Sequence, residues 1–199
     1  MLNGGMPPLN ELNIAPFLPE WRRAFGEMPP LGHILRQSSS ACWARFHALP
    51  NSKRLARTSG EKTIILSRAN TLVTACFGAR QPIWLIVPRY TGCASADEDI
   101  VVQMRMQKAF TWVDEREARE DQIGITFFVK RLFWTPNSLD DLFEQIADGN
   151  ERAVLFAERD QVAFAPYDGG FDILSSQPAK VNYLEEEYAA WMSLRADRL

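Results

Sequence analysis

The sequence predicts a single α+β domain with a largely antiparallel sheet of about seven strands and helices mostly on one face. Strand-like segments outnumber helical ones, and they do not alternate regularly with helices as parallel sheets require. One segment, IWLIV (83–87), is apolar on both faces and therefore belongs in the middle of a sheet covered on both sides. We assign the globular domain to residues 17–199. Residues 1–16 are rich in proline, glycine and asparagine, which predicts a loose N-terminal arm.

The first elements of the domain are short. LPEWRRAFG (18–26) places its two aromatic residues one helical turn apart and ends in glycine, which predicts a helix. Pro30 opens a second short helix, LGHILRQ (31–37). CWARFHA (42–48) alternates apolar and polar residues and is predicted to be a half-buried strand.

A long helix is predicted over TSGEKTIILSRANTLVTACFG (58–78). Its apolar residues recur at intervals of three and four, Ser59 can cap its N-terminus, and Gly78 ends it. A further helix begins with a capping box, Ser138 to Asp141, and ends at Gly149.

The remaining strands lie in the second half of the chain. Asp168, Gly169 and Gly170 form a turn into the last of them, and we expect positive φ angles at its glycines. A C-terminal helix over 178–199 then places a stripe of large residues on one face. The predicted strands are AFTWVDE (109–115), ITFFVKRLFW (125–134), the hairpin RAVLFA (152–157) with QVAFAP (161–166), and FDIL (171–174).

The composition is that of an ordinary soluble globular protein, with 199 residues, 46 % hydrophobic and 24 % charged. The start of the chain lacks the basic and apolar regions of a signal peptide, and the longest apolar runs are too short to span a bilayer. Cys42, Cys76 and Cys93 are odd in number and widely spaced, which favours reduced, buried thiols over disulfides. We therefore expect a cytoplasmic protein that does not contact membranes.

The formal net charge of −3 conceals a division along the chain. Residues 28–96 carry +8, residues 97–199 carry −10, and residues 1–27 carry −1. In one interpretation the two halves pack together and their charges form ordinary pairs. In the other, a basic face attracts an anion and an acidic face attracts a cationic partner.

Several chemistries lack support in the sequence. It contains no phosphate-binding glycine loop, no dinucleotide fingerprint and no nucleophile elbow. The two histidines, His33 and His47, lie on different predicted elements, so we expect no metal site and no cofactor. Cys42 and His47 lie on opposite faces of one strand, which excludes them as a nucleophile–base pair. The residue set argues against catalysis.

The segment WARFHALPNSKR (43–54) is the strongest candidate site. Trp43, Arg45 and His47 share one face of the predicted strand, and a loop with adjacent cations follows. If the segment is a site, these side chains converge on an anion together with the carboxylates of the turn 167–172. If it is structural, Trp43 packs under a helix and the loop cations are solvated. The candidate binding residues are Arg45, His47, Ser52, Lys53, Arg54, Tyr167, Asp168 and Asp172.

Three segments carry a resemblance to a known family: ARFHALPNSKR (44–54), ANTLVTACFG (69–78) and YDGGFDIL (167–174). In this order they resemble uncharacterised bacterial proteins grouped as a domain of unknown function, which share an R-x-H-x-L-P-x-S-K-R-like segment and a Y-D-x-G-x-D-like turn. The similarity extends over most of residues 30–195. It implies that the family-typical polar set comprises Arg45, His47, Lys53, Arg54, Tyr167, Asp168 and Asp172, and it assigns none of them a role.

Two functions remain open. The first is a non-catalytic bacterial binding protein, in one form an immunity or antitoxin-like protein whose acidic half meets a basic protein partner. The second is an enzyme or ligand-binding domain for an anionic small molecule, such as a phosphorylated one, at the basic loop 45–54. Nucleic-acid binding is disfavoured because the basic residues are dispersed and the whole chain is acidic.

Overall fold

The computed structural model describes residues 15–37, 42–90, 99–113 and 124–193. Over these ranges the chain forms one seven-stranded sheet in the order β1-β7-β6-β5-β2-β4-β3, and every neighbouring pair of strands is antiparallel. The strands are β1 (Cys42–His47), β2 (Pro82–Tyr90), β3 (Gln107–Trp112), β4 (Ile125–Phe133), β5 (Val154–Ala157), β6 (Val162–Tyr167) and β7 (Gly170–Ser175). The helices are α1 (Phe17–Phe25), α2 (Gly32–Leu35), α3 (Ser59–Phe77), α4 (Ile100–Gln103), α5 (Asp140–Ala147) and α6 (Pro178–Glu187).

The strand β2 lies inside the sheet, as its apolar sequence predicts. It pairs with β4 on one side and β5 on the other, and residues 83–87 are all buried. Ile83, Leu85 and Val87 face one hydrophobic cluster, whereas Trp84 and Ile86 face a second cluster across the sheet. Each side chain of this run therefore needs its own cover, which is why both faces of the sheet carry helices.

The two faces are covered unequally. On the first face, α3, α4, α5 and α6 bury a large cluster, so four of the six described helices lie there, as the sequence predicts. Of the described helices, α1 and the four-residue α2 lie on the second face, where they share a hydrophobic cluster with Trp84, Phe127 and Phe156. Two short helices cannot cover the whole of this face. Among the described residues, no helix is long and apolar enough to span a membrane.

Several predicted helix ends were wrong. Thr58, and not Ser59, caps α3, since its side chain accepts a hydrogen bond from the Glu61 amide. Ser138 forms no capping box; its hydroxyl donates to the Thr135 carbonyl, and α5 begins at Asp140. These misplacements share one cause, because serine and threonine bond equally well to nearby turn backbone.

The remaining boundaries also differ from the sequence predictions. The C-terminal helix ends at Glu187 and continues as a short 3-10 turn, Ala189–Trp191. Strand β3 begins two residues earlier than predicted. Cys76 is buried, but Cys42 is only half-buried; both thiols are free, and Cys93 lies outside the described residues. Most of the predicted arm, residues 1–14, also lies outside them.

The glycines of the β6–β7 turn serve a purpose other than the predicted one. Neither Gly169 nor Gly170 has a positive φ angle. Instead, β1 comes so close to the turn that a Cβ atom on Gly170 would overlap the Phe46 carbonyl oxygen and lie 2.9 Å from the Tyr167 hydroxyl. The glycine is needed for close approach of two backbones and not for a left-handed conformation.

A carboxyl pair fixes α1 to the sheet. Glu20 on α1 and Glu158 at the end of β5 both lie near the buried Trp84, whose indole N–H points toward Oε2 of each at 3.4 and 3.3 Å. Arg131 donates to Glu158 at 2.6 Å. Burial, and next the hydrogen bond with Glu158, raise the pKa of Glu20 to about 7. Glu20 is therefore protonated more readily in the folded state than in the unfolded state.

This pair predicts a pH-dependent stability. Folding raises the pKa of Glu20 from 4.5. The protonated group therefore makes its full contribution to the free energy of unfolding below about pH 4.5, and this contribution is lost as the pH rises through 7. Glu20 is partly exposed, so we expect a change of about 1–2 kcal/mol in the free energy of unfolding. The variant E20Q should be more stable than the wild type at pH 8 by this amount and nearly equal at pH 5, as measured by urea unfolding.

Glu27 supplies the matched control, because its exposed carboxylate pairs only with Arg22 among the described contacts. The E27Q variant should keep the wild-type pH dependence. Equal pH profiles for E20Q and the wild type would contradict the role of the Glu20–Glu158 pair.

Candidate functional site

A pocket of about 600 Å³ lies on the second face of the sheet, beside α2. Its floor consists of side chains from five strands, and α2 forms one wall. The pocket lies where the short α1 and α2 leave this face of the sheet open. The polar residues that line it are His33, Arg36, Arg45, Arg54, Tyr90, Glu151, Arg152, Tyr167, Asp168 and Asp172.

A buried ion pair forms part of the floor. Arg45 on β1 stands opposite Asp172 on β7 in the strand register, and its Nε and Nη2 atoms donate to the two carboxylate oxygens at 2.7 and 2.8 Å. Only 8 % of Arg45 and 3 % of Asp172 are exposed. The hydrogen bonds to Asp172 raise the pKa of Arg45 despite its burial. The charges of the guanidinium and the carboxylate offset each other in this pair.

Two aromatic rings enclose the Arg45 guanidinium. Its central carbon lies 5.2 Å from the centre of the Trp43 ring and 5.0 Å from that of Tyr167. Burial, and next the charge of Asp172, raise the pKa of Tyr167 to about 12. The phenol therefore remains neutral at physiological pH, and the rings and the carboxylate together hold Arg45 in one orientation.

A second pair lies at the rim. Arg54 donates to Oδ2 of Asp168 from Nε at 2.9 Å and from Nη2 at 2.6 Å. This pair is more open than the floor pair, with 71 % of the Arg54 side chain exposed. The two aspartates of the 167–172 turn thus each hold an arginine of the 45–54 segment.

Three further basic side chains line the pocket. His33 and Arg36 come from α2 and the residue after it, and Arg152 precedes β5. Arg152 donates to the Tyr90 hydroxyl at 2.8 Å. Burial, and next the charges of Arg152 and Arg36, lower the pKa of His33, which is therefore neutral at pH 7. Within the described part of the chain, neither Arg36 nor Arg152 forms an ion pair.

The structure thus separates the residues named from the sequence into two groups. Those that line the pocket are Arg45, Arg54, Tyr167, Asp168 and Asp172. His47, Ser52 and Lys53 do not line it, because local partners hold them elsewhere. His47 contacts Ser52, and Lys53 pairs with Glu61 at the start of α3.

The contact between His47 and Ser52 has the residue types of a nucleophile and its base. The Ser52 hydroxyl lies 3.1 Å from Nε2 of His47, and Ser52 has a positive φ of 55°. Burial, and next the charges of Arg45 and Arg68, lower the pKa of His47, so the ring is neutral. Within the described ranges no carboxylate accepts a hydrogen bond from this ring, so the third group that orients such a base is missing there.

Sequence reasoning missed four residues that line the pocket, namely His33, Arg36, Tyr90 and Arg152. Arg36 follows a helix of four residues, too short to show a face by periodicity. Arg152 could have been found, since it lies two residues before the buried Val154 and so shares its side of the chain. Only the sheet order brings Tyr90, on β2, next to the residue that precedes β5.

The charge division along the chain is used in part within the fold. Four basic side chains from residues 28–96 pair with carboxylates from residues 97–199 among the described residues. Arg89 is the most buried of these besides Arg45, and it bonds Asp99 at 2.8 Å and Glu151 at 2.7 Å. The described cross-pairs are Arg45–Asp172, Arg54–Asp168, Lys62–Glu144, Lys62–Asp148, Arg89–Asp99 and Arg89–Glu151.

Comparison with known proteins identifies a family for this chain. None of the curated proteins and none of the solved structures that were compared with the chain matches it. A family model, described as a domain of unknown function (DUF3885), matches residues 31–196. That range begins just before α2 and includes every polar residue that lines the pocket. The match covers most of the chain, which therefore belongs to the DUF3885 family.

Proposed function

We propose that this protein binds a small anionic molecule, bearing a phosphate or a carboxylate, in the pocket beside α2. One observation carries the proposal: Arg36 and Arg152 line a concave site in which no described carboxylate pairs with them. Arginine guanidinium groups bind phosphate and carboxylate oxygens through paired hydrogen bonds.

The charges of the pocket support this reading. Arg45 and Arg54 are offset by Asp172 and Asp168, and Glu151 is held by Arg89 from outside the lining. Among the described residues, the guanidinium charges of Arg36 and Arg152 therefore remain without a carboxylate partner. A partly enclosed site screens charge less than open solvent does, so an anion is the favoured occupant.

The size of the pocket and its neutral donors agree with a small ligand. A volume of about 600 Å³ falls within the range of small-molecule sites, roughly 300–1,000 Å³. The neutral His33 imidazole carries one N–H and can donate a hydrogen bond beside the two guanidinium groups. Binding of this kind requires no catalysis.

The alternative, an immunity-like protein that binds a basic partner, stays a prediction. Its main support was the acidic second half of the chain. Because several of those carboxylates pair with Arg45, Arg54, Lys62 and Arg89 inside the fold, less of that charge remains for a partner.

The test is a titration of the wild type and matched variants with inorganic phosphate at low ionic strength, in which ³¹P NMR measures binding. The R36A/R152A double variant should bind inorganic phosphate about tenfold or more weakly than the wild type, since each charge-assisted hydrogen bond contributes roughly 1.5–3 kcal/mol. Both side chains are exposed, so the free energy of unfolding should change by less than about 1 kcal/mol.

The control variant is R23A/R159A, which removes two exposed arginines outside the pocket lining. It should bind phosphate as the wild type does, which separates the pocket from a general effect of net charge. Equal weakening in both double variants, or no phosphate binding by the wild type, would refute the proposal.

A further inference from the structure

Two kinds of charged group line the pocket. The guanidinium groups of Arg36 and Arg152 have no carboxylate partner among the described residues, and both charges act on the neutral His33. The carboxylates of Asp168 and Asp172 lie at the 167–172 turn. A ligand that fills the pocket therefore meets both cations and carboxylates.

Asp168 keeps one oxygen available for a ligand. Both bonds from Arg54 go to its Oδ2 atom, and no hydrogen bond to Oδ1 occurs among the described residues. A quarter of the side chain is exposed, 26 %, so a solute in the pocket can reach it. A carboxylate oxygen accepts hydrogen bonds only, so its partner must be a donor such as a hydroxyl group.

The aromatic rings of the pocket favour a polar ligand body. One face of Tyr167 is covered by the Arg45 guanidinium at 5.0 Å, and one face of Tyr90 by that of Arg152 at 5.8 Å. Stacking of a planar base between these rings would compete with those contacts. A chain or ring that bears hydroxyl groups can bind without stacking on these rings, so the arginine–tyrosine contacts remain.

From these observations we propose that the ligand is a phosphorylated sugar, with its phosphate on Arg36 and Arg152 and its hydroxyl groups donating to Asp168. This inference rests on the proposed function, since it uses the same pocket and the same arginines. It adds that Asp168 recognises the hydroxyl groups of the ligand. A site built to bond a hydroxyl group discriminates against analogues that lack it.

The test compares two phosphate monoesters and one neutral sugar by calorimetry: glucose 6-phosphate, ethyl phosphate and glucose. The wild type should bind glucose 6-phosphate about tenfold or more tightly than ethyl phosphate, which corresponds to one charge-assisted hydrogen bond or more. Glucose alone should bind more weakly than glucose 6-phosphate, because it lacks the phosphate that the arginines hold.

The variant D168N tests the assignment of the acceptor. The amide keeps one oxygen for Arg54 and places an N–H donor where Oδ1 lies. This variant should lose the preference for glucose 6-phosphate and retain the affinity for ethyl phosphate. The D141N variant makes the same change at an exposed carboxylate outside the pocket lining and should keep the preference. Loss of the preference in D141N as well would show that net charge, and not Asp168, sets it, and would overturn the inference.

The outcomes separate the two proposals. If the wild type binds both phosphate esters equally, and R36A/R152A weakens both, then the anion site stands and the sugar phosphate is wrong. If neither ester binds, or R36A/R152A changes nothing, then the proposed function itself is wrong.

Discussion

Replacement of Asp172 by alanine is expected to lower the free energy of unfolding by about 3–5 kcal/mol. The substitution leaves the Arg45 guanidinium buried between two rings without its carboxylate. Water cannot solvate that charge fully, because only 8 % of Arg45 is exposed. Urea unfolding monitored by tryptophan fluorescence measures the loss.

Two controls make this result specific. The D168A variant breaks the exposed rim pair and should cost less than about 1 kcal/mol. Replacement of both partners, as R45M/D172L, removes the buried charge along with its partner and should recover most of the loss from D172A. A cost for D172A as small as that for D168A would show that Arg45 finds water or another partner when the carboxylate is absent.

Replacement of Gly170 by alanine should destabilise the fold by about 3 kcal/mol, since the new methyl group meets backbone. Its Cβ atom would overlap the Phe46 carbonyl oxygen on β1, and neither strand can yield without breaking the pairing of His47 with Gly170. Thermal unfolding followed by circular dichroism measures the effect.

The adjacent Gly169 is the matched control. A methyl group there would lie 3.2 Å from Cγ of Arg54 and from a ring carbon of Tyr167. The exposed Arg54 side chain can move aside, so G169A should cost about 1 kcal/mol or less. Equal losses at the two positions would indicate that backbone flexibility, and not close approach of β1, is the reason for the glycine pair.

The fold could be predicted from the sequence because a continuous apolar run marks the internal strand β2. Residues 83–87 are apolar on both faces, and only a covered internal strand satisfies them. Helix ends were less accessible, since Thr58, Ser59 and Ser138 have similar capping ability and the surrounding turn decides between them.

The site could be predicted only in part. Arg45 and Asp172 were identified from the segments that contain them, and β1–β7 pairing sets them opposite one another. His47 and Lys53 carry the same kinds of charge, yet local contacts with Ser52 and Glu61 hold them outside the pocket. Arg36 and Arg152 join the site through the sheet order, which no local pattern in the sequence contains.

The pairing of β1 with β7 has a consequence for how a newly made chain folds. Arg45 leaves the ribosome 127 residues before its partner Asp172, a delay of roughly 6–25 s at ordinary rates of translation. During that time β1 lacks the strand that will pair with it, and such strands readily join the same strand of another chain. Two copies of β1 laid side by side would bring their Arg45 charges onto a shared sheet face, where like charges repel. We therefore expect Arg45, which anchors the pocket floor, to disfavour pairing of β1 with a second copy of itself while the chain is unfinished.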